Sequence, residues 1–313
     1  MPKTLKEQSE AVLKKHLSLG ETKRAVETIG NTKHHRFTSV RSYKETASTL
    51  ARIAKVMGVS RLKEITPQNA IQYLNERKQQ ESKTRNFVHV QKNTVSLVSQ
   101  KTLDAERKAL SILLAEPLSR VYSSADRPSS SRAYTNTQVQ EISKHQSERN
   151  ALSTRIASEA GLRASELFTL RRADELQIST SRKWSPERFI GLEGNRYVVI
   201  GKGGLVREIV LSHETSAMLE CHRLSSPQVR TDRGVKYESY YDIGAGNNFS
   251  KSYSDASNRA LGFSNGAHGL RHQYAQARLS QIQSFGKTQE EAKLILSQEI
   301  GHFRASITNT YLR

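Results

Sequence analysis

The chain has 313 residues, 49 Lys+Arg against 30 Asp+Glu, a formal net charge of +19 and a pI near 10.0. That length is a soft prior for two domains with a core each, and the charge fits a protein that meets a polyanion, nucleic acid ahead of an anionic membrane. No apolar run reaches the ~18 residues a spanning helix needs, no cationic-then-apolar start reads as a secretory leader, and the lone Cys221 excludes an internal disulfide. His34-His35 are adjacent and lack partner cysteines, so no zinc spacing is present. The expectation is a soluble, metal-free protein of the cytoplasm or nucleoid. Residues 1–125 hold 23 Lys+Arg and 11 Asp+Glu, and residues 126–313 hold 26 and 19. Both halves are therefore candidates to touch phosphate, as in a protein that surrounds DNA.

In chain order, residues 5–28 carry helical spacing that Gly20 divides into two short helices. His34 to Thr38 is a basic loop. Ser39 or Ser42 caps a long helix to about Met57, with Gly58 at its stop. Thr66-Pro67 opens the next helix. Residues 81–99 are polar and read as a long loop, disordered in part. A fourth helix starts at Ser99-Gln100-Lys101-Thr102 and ends by Pro117. Residues 1–121 thus predict a helical domain with basic residues at helix starts and loops, suited to phosphate or, alternatively, to a protein partner. Residues 122–136, with five serines and one proline, read as a flexible linker. Residues 137–313 form the second domain.

That domain opens on a helix capped by Thr135 or Thr137, followed by a helix over 148–160 that Gly161 ends. Leu162-Arg163-Ala164-Ser165-Glu166-Leu167 starts another, with Arg163 at the junction and Glu166 three residues on, on the same face. Residues 196–200 and 207–211 are paired strands, and Gly201-Lys202-Gly203-Gly204-Leu205 is their tip. A phosphate loop for ATP is rejected, because that motif opens a helix and this lysine lies between strands. Taken alone, Lys202 is a solvated turn residue. Residues 213–223 read as helical, 225–245 as irregular and 252–261 as helical. His268-Gly269-Leu270-Arg271-His272 then opens a helix on which His268, Arg271 and His272 share a face. Two histidines and an arginine suit an anion, since the guanidinium would repel a metal cation. Residues 288–300 form the last long helix, Gly301 ends it, His302 follows, and Tyr311 lies nine residues further on.

Together, Gly161-Leu162-Arg163-Ala164-Ser165-Glu166-Leu167, Ile200-Gly201-Lys202-Gly203, His268-Gly269-Leu270-Arg271-His272, Gly301-His302 and Tyr311 resemble the motif set of the tyrosine recombinases, the phage-integrase family. The resemblance covers residues 136–313 closely and the helical first half in pattern only. It implies a mainly α fold with a small β-hairpin or sheet (α+β), a core-binding domain and a catalytic domain forming a C-shaped clamp on DNA. It also implies Arg163, Lys202, His268, Arg271 and His302 around a scissile phosphate, Tyr311 as nucleophile, and Glu166 and His272 in support. No cofactor or metal is implied. The implied partners are double-stranded DNA with inverted-repeat sites and further copies of the chain, dimer to tetramer, with room for an accessory DNA-bending protein. The implied setting is DNA recombination or integration by a mobile element. This sequence departs from the pattern in three ways: Ile300 stands where Leu is commoner, the stretch from Arg271 to Gly301 is longer, and the chain stops two residues after Tyr311. The last departure leads us to expect Tyr311 to be held in cis, or to move before assembly on DNA.

The chemistry accounts for these residue types. Attack on a phosphodiester adds negative charge to non-bridging oxygens, which two guanidinia can meet while staying charged. His268 or His302 can donate to phosphate or take the tyrosine proton, and Lys202 can protonate the leaving 5′-hydroxyl. The 3′-phosphotyrosine so formed keeps the ester, so neither ATP nor metal is required. Two other functions share parts of this pattern: a type IB topoisomerase-like relaxing enzyme, and a non-catalytic DNA-binding regulator with the same fold.

Overall fold

Helix starts are set by short hydroxyl side chains that accept from the third backbone N–H, which would otherwise lack a partner. In the first unit, Thr4 does so for α1 (Leu5–Lys14), Ser39 for α2 (Val40–Val56), Thr66 for α3 (Pro67–Arg77) and Ser99 for α4 (Gln100–Leu114). Thr4 and Thr66 complete reciprocal capping boxes with Glu7 and Asn69. The computed structural model describes residues 2–21, 36–82, 96–125 and 131–312. These fall into two compact units, one drawn from residues 1–128 and one from 129–313.

In the first unit the helices bury Leu13, Leu50, Ile53, Leu74, Leu103 and Leu110 against one another. Glu106 of α4 is buried among them, taking Arg52 at 2.7 Å, the Tyr73 hydroxyl at 3.0 Å and Arg77 at 3.5 Å. Two expectations change here. Leu17 is not helical: Phe37 donates to the His16 carbonyl and Ser18 to that of Phe37, which closes a bridge between Leu17 and Phe37. The helix expected to follow Gly20, and His34 and His35 of the basic loop, fall on residues 22–35, outside the described residues. In the polar stretch 81–99, β1 (Glu81–Ser82) pairs antiparallel with β2 (Ser96–Leu97), while residues 83–95 lie outside the described residues. Of the expected linker, residues 126–130 are likewise outside. Before them, the Ser123 amide is bonded to Gln100 at 2.8 Å. After them, Tyr134 is buried in the second unit, edge-on to Tyr253 at 5.6 Å, and its hydroxyl accepts from the Asn265 amide at 2.6 Å.

The second unit begins with α5 (Asn136–Lys144), boxed by Thr135, and α6 (Glu148–Ala160). The stretch 162–167 does not start a long helix. It makes one 3-10 turn, Glu166–Thr169, and passes into β3 (Arg171–Arg172). Leu167, Phe168 and Leu170 all bury their side chains, and the Ile200 amide bonds Thr169 Oγ1 at 3.0 Å, so the chain is drawn onto the sheet. The sheet runs β3–β4–β5, antiparallel throughout, with β4 (Asn195–Ile200) and β5 (Val206–Leu211) joined by the glycine-rich tip. After α7 (His213–Cys221), the region expected to be irregular is a hairpin of β6 (Arg223–Asp232) and β7 (Val235–Tyr241). Arg233 and Gly234 turn it with φ of 49° and 78°, the left-handed pair a tight hairpin requires. Then come α8 (Gly246–Leu261), six residues longer at its start than expected, α9 (His268–Ser284), α10 (Gln289–Glu299) and the single turn α11 (Ala305–Thr308).

Candidate active site

The site is assembled from four places in the second unit. The first is the elbow after α6. Gly161 caps that helix at φ 58°, where an added Cβ would sit 2.5 Å from the Tyr274 ring. The turn presents Arg163 and Glu166 to each other. The Arg163 amide donates to Glu166 Oε2 at 2.9 Å, and its Nη1 to Oε1 at 2.6 Å. Glu166 is 1% exposed and also meets Arg207 Nη2 at 2.9 Å and Arg271 Nη1 at 3.7 Å. Burial alone would raise its carboxyl, but the charges of Arg207, Arg271 and Arg163 hold it down at about 2. One carboxylate thus serves three guanidinia, and the cluster keeps a net positive charge.

The second place is the start of α9, where His268, Arg271 and His272 lie on one face. The rings of His268 and His272 are 5.4 Å apart, edge to face. Arg271 is fully buried. Its Nη1 donates to the Gly161 carbonyl at 2.6 Å and its Nη2 to the Ile300 carbonyl. Its Nε finds no partner among the described residues. Burial lowers Arg271 to about 10, partly offset by Glu166, so it stays charged at neutral pH. Burial, with Arg271 and His272 beside it, pushes His268 down to about 3.

The third place follows α10. Glu299 is buried under Arg278, which donates from both Nε and Nη2 at 2.9–3.3 Å, and under the Tyr274 hydroxyl at 2.9 Å. Gly301 then turns at φ 75°, and the His302 amide returns to the Ser297 carbonyl at 2.7 Å. His302 Nε2 lies 3.0 Å from Arg163 Nη2 and 3.0 Å from the Tyr311 hydroxyl. A guanidinium can only donate, so Nε2 is an acceptor and the proton sits on Nδ1. Burial and the charges of Arg271 and Arg163 lower His302 to about 4, which keeps it neutral at pH 7.

Tyr311, one turn after α11, is 5% exposed. Its ring lies 5.3 Å from the Arg271 guanidinium, 5.0 Å from the His272 ring and 5.7 Å from those of His268 and His302. Tyr311 therefore rests in its own chain's pocket.

The fourth place is the β4–β5 tip, and it is less integrated. Lys202 is exposed within the 3-10 turn Lys202–Gly204 and joins none of the cluster's hydrogen bonds among the described residues. Its neighbour Gly201 packs close to Glu166, where an added Cβ would come within 3.4 Å of Oε1. Arg163, Glu166, His268, Arg271, His272, His302 and Tyr311 thus gather in one pocket, with Lys202 one residue from its wall. Arg207 is the member that sequence reasoning overlooked. Its signal was available, because strand alternation sets Arg207 on the same face as Ile209 and Leu211, both buried, so it is a charge on an apolar face. No group of three or more His, Cys, Asp or Glu suited to a metal occurs among the described residues. None of their helices is long and apolar enough to cross a membrane.

No family profile matches the sequence, and comparison with curated proteins gives no match. Comparison with solved structures does. The chain is similar to the XerH site-specific recombinase bound to palindromic difH substrate in a post-cleavage complex, with TM-score 0.52 and 14% identity, covering 99% of this chain and 90% of that one. It is also similar to a lambda integrase tetramer bound to a Holliday junction, with TM-score 0.52 and 13% identity over 97% of this chain and 76% of that one. A lambda integrase dimer bound to a COC' core site matches at 0.51 and 14%, with the same coverage. The chain has the tyrosine recombinase and integrase fold, mainly helical with small antiparallel sheets.

Proposed function

We propose that this chain is a site-specific DNA recombinase that cuts and rejoins duplex DNA through a 3′-phosphotyrosine at Tyr311. The observation that carries this reading is the 3.0 Å contact from the Tyr311 hydroxyl to a neutral His302, beside two buried-rooted arginines. A tyrosine that only packed a core would not need its hydroxyl on an acceptor flanked by guanidinia. The XerH and lambda integrase structures were solved on DNA substrates, which makes duplex DNA and multimeric assembly the natural partners here too. The net charge of +19 agrees with such a partner.

The chemistry follows from the donors. The scissile phosphate is met by Arg163 and by the remaining N–H groups of Arg271, whose position is fixed by the Gly161 and Ile300 carbonyls. His268, neutral at pH 7, adds an N–H donor. Arg163 and Tyr311 address the same nitrogen of His302, which has a single lone pair. When a phosphate draws Arg163 away, that lone pair is left to the tyrosine proton. The phenolic oxygen attacks phosphorus, its proton passes to His302, the bond to the 5′-oxygen breaks, and Lys202 protonates that oxygen. A 5′-hydroxyl from another duplex reverses the steps, which amounts to strand exchange.

The test uses nicked duplexes with randomised arms, in which the short fragment bearing the freed 5′-hydroxyl diffuses away and covalent protein accumulates. The wild-type protein should form a denaturant-resistant adduct and Tyr311→Phe should form none while still retaining DNA. An adduct from the phenylalanine variant would sink the assignment.

A further inference from the structure

We infer that Arg207, outside the expected set of phosphate ligands, is a positioning residue that ties the Arg163 elbow to the end of α10, so that Arg163, His302 and Tyr311 meet in one geometry. The inference rests on the recombinase reading and concerns how that site is held.

Arg207 is fully buried on β5, opposite Val199 on β4. Its Nη2 donates to Glu166 at 2.9 Å and its Nη1 to the Glu299 carbonyl at 2.7 Å. Glu166 is the residue that grips the Arg163 side chain and amide, and Glu299 closes α10 three residues before His302. Arg207 is therefore one rigid fork between the two segments that deliver the reacting groups. Its stem is also part of the turn, since a Cβ at Gly301 would come within 3.0 Å of Arg207 Cδ.

Two physical points separate this role from simple packing. Burying a guanidinium carries a desolvation cost of several kcal/mol. Ile209 and Leu211 on the same strand face indicate that an apolar side chain would fit there at no such cost. Charge balance does not require it either, because Glu166 already faces Arg163 and Arg271. A third cation on one carboxylate leaves Arg163 and Arg271 under-neutralised, which favours an anion between them. It also adds to the field that keeps His302 unprotonated. The groups facing His302 are Arg163 and Glu166 from the elbow, Arg207 from β5, Arg271 from α9, and Tyr311, whose ring in turn touches His268 and His272.

The experiment compares wild type, Arg207→Met and Arg207→Lys for DNA retention, adduct formation on the randomised nicked duplexes, and adduct rate against pH. Methionine keeps the apolar stem and removes the charge. We expect it to retain DNA near the wild-type level and to form adduct about 10²-fold more slowly, the scale of a small misplacement of reacting groups. Its acid limb should move to higher pH, because His302 loses a neighbouring positive charge. Lysine should leave the acid limb near its wild-type position and recover part of the rate. Wild-type rates for methionine, or equal losses in both variants with an unmoved acid limb, would overturn the inference. Should the methionine variant not fold, lysine decides: a slowed rate with an unmoved limb supports the role, and a wild-type rate rejects it. Absence of any adduct from the wild-type protein would instead sink the recombinase reading.

Discussion

Replacing Glu166 by glutamine removes the one carboxylate shared by Arg163, Arg207 and Arg271 while keeping the side-chain shape. The folded state holds the Glu166 carboxyl at about 2, against an ordinary value of 4.5, because the three charges outweigh its burial. At 1.36 kcal/mol per pKa unit, the gap corresponds to roughly 3 kcal/mol in favour of the ionised carboxylate. A depressed acid contributes that stability above pH 4.5 and loses it as the pH falls through about 2. Glutamine leaves buried guanidinia without their anion, a change that costs about 3–5 kcal/mol in comparable buried pairs. For a unit of this size that lowers Tm by roughly 6–20 °C at neutral pH. Calorimetry of wild type and Glu166→Gln from pH 7 to pH 2 measures both effects. The variant should melt lower at pH 7, and its stability should vary less than that of wild type between pH 4.5 and 2. A variant within about 1 kcal/mol of wild type at pH 7, or with the wild-type slope at low pH, would refute the reasoning.

Lys202→Ala should slow adduct formation on ordinary DNA and be largely rescued when the 5′-bridging oxygen is sulphur, a leaving group that needs no proton; no rescue would move the acid role elsewhere. The wild-type adduct rate should be limited in acid by protonation of His302 near pH 4 and not near the ordinary 6.5, read from the rate between pH 3.5 and 8. Because His268 and His302 fold with values of about 3 and 4, stability should decline as pH falls from 6.5 toward those values, the unfolded chain binding more protons. His268→Asn should flatten part of that decline in urea titrations. Gly161→Ala should lose roughly 2–5 kcal/mol, from a left-handed non-glycine residue and from overlap with the Tyr274 ring, whose hydroxyl is tied to Glu299.

Much of the fold was legible because local chemistry and periodicity agreed. Ser39, Thr66-Pro67 and Ser99 mark helix starts that the structure keeps, and Gly58, Gly161 and Gly301 mark helix ends at positive φ. The β6–β7 hairpin was not legible from β6, which is polar and mostly exposed; β7 does alternate, with Val235, Tyr237, Ser239 and Tyr241 on its more buried face, but without a readable partner strand it passed as irregular. Its turn is Arg233-Gly234, without the Asn-Gly or Asp-Gly signal. The stretch 162–167 misled through its helix-forming composition, since burial of Leu167, Phe168 and Leu170 bends it toward the sheet. The pocket residues could be picked out because arginine and histidine at helix starts and glycine turns are poor core choices. Arg207 and Glu299 escaped because their partners, Glu166 and Arg278, are distant in sequence. Only the alternation of β5 hinted at Arg207.

The proposed reaction turns on one oxygen atom, the Tyr311 hydroxyl. Adduct formed by the wild-type protein on the nicked duplexes can be digested with protease and nuclease, and the nucleotide-bearing peptide sequenced by mass spectrometry. A 3′-nucleotide on Tyr311, in the peptide that follows Arg304, is the predicted result. A nucleotide on any other residue, or attached through its 5′-phosphate, would contradict it.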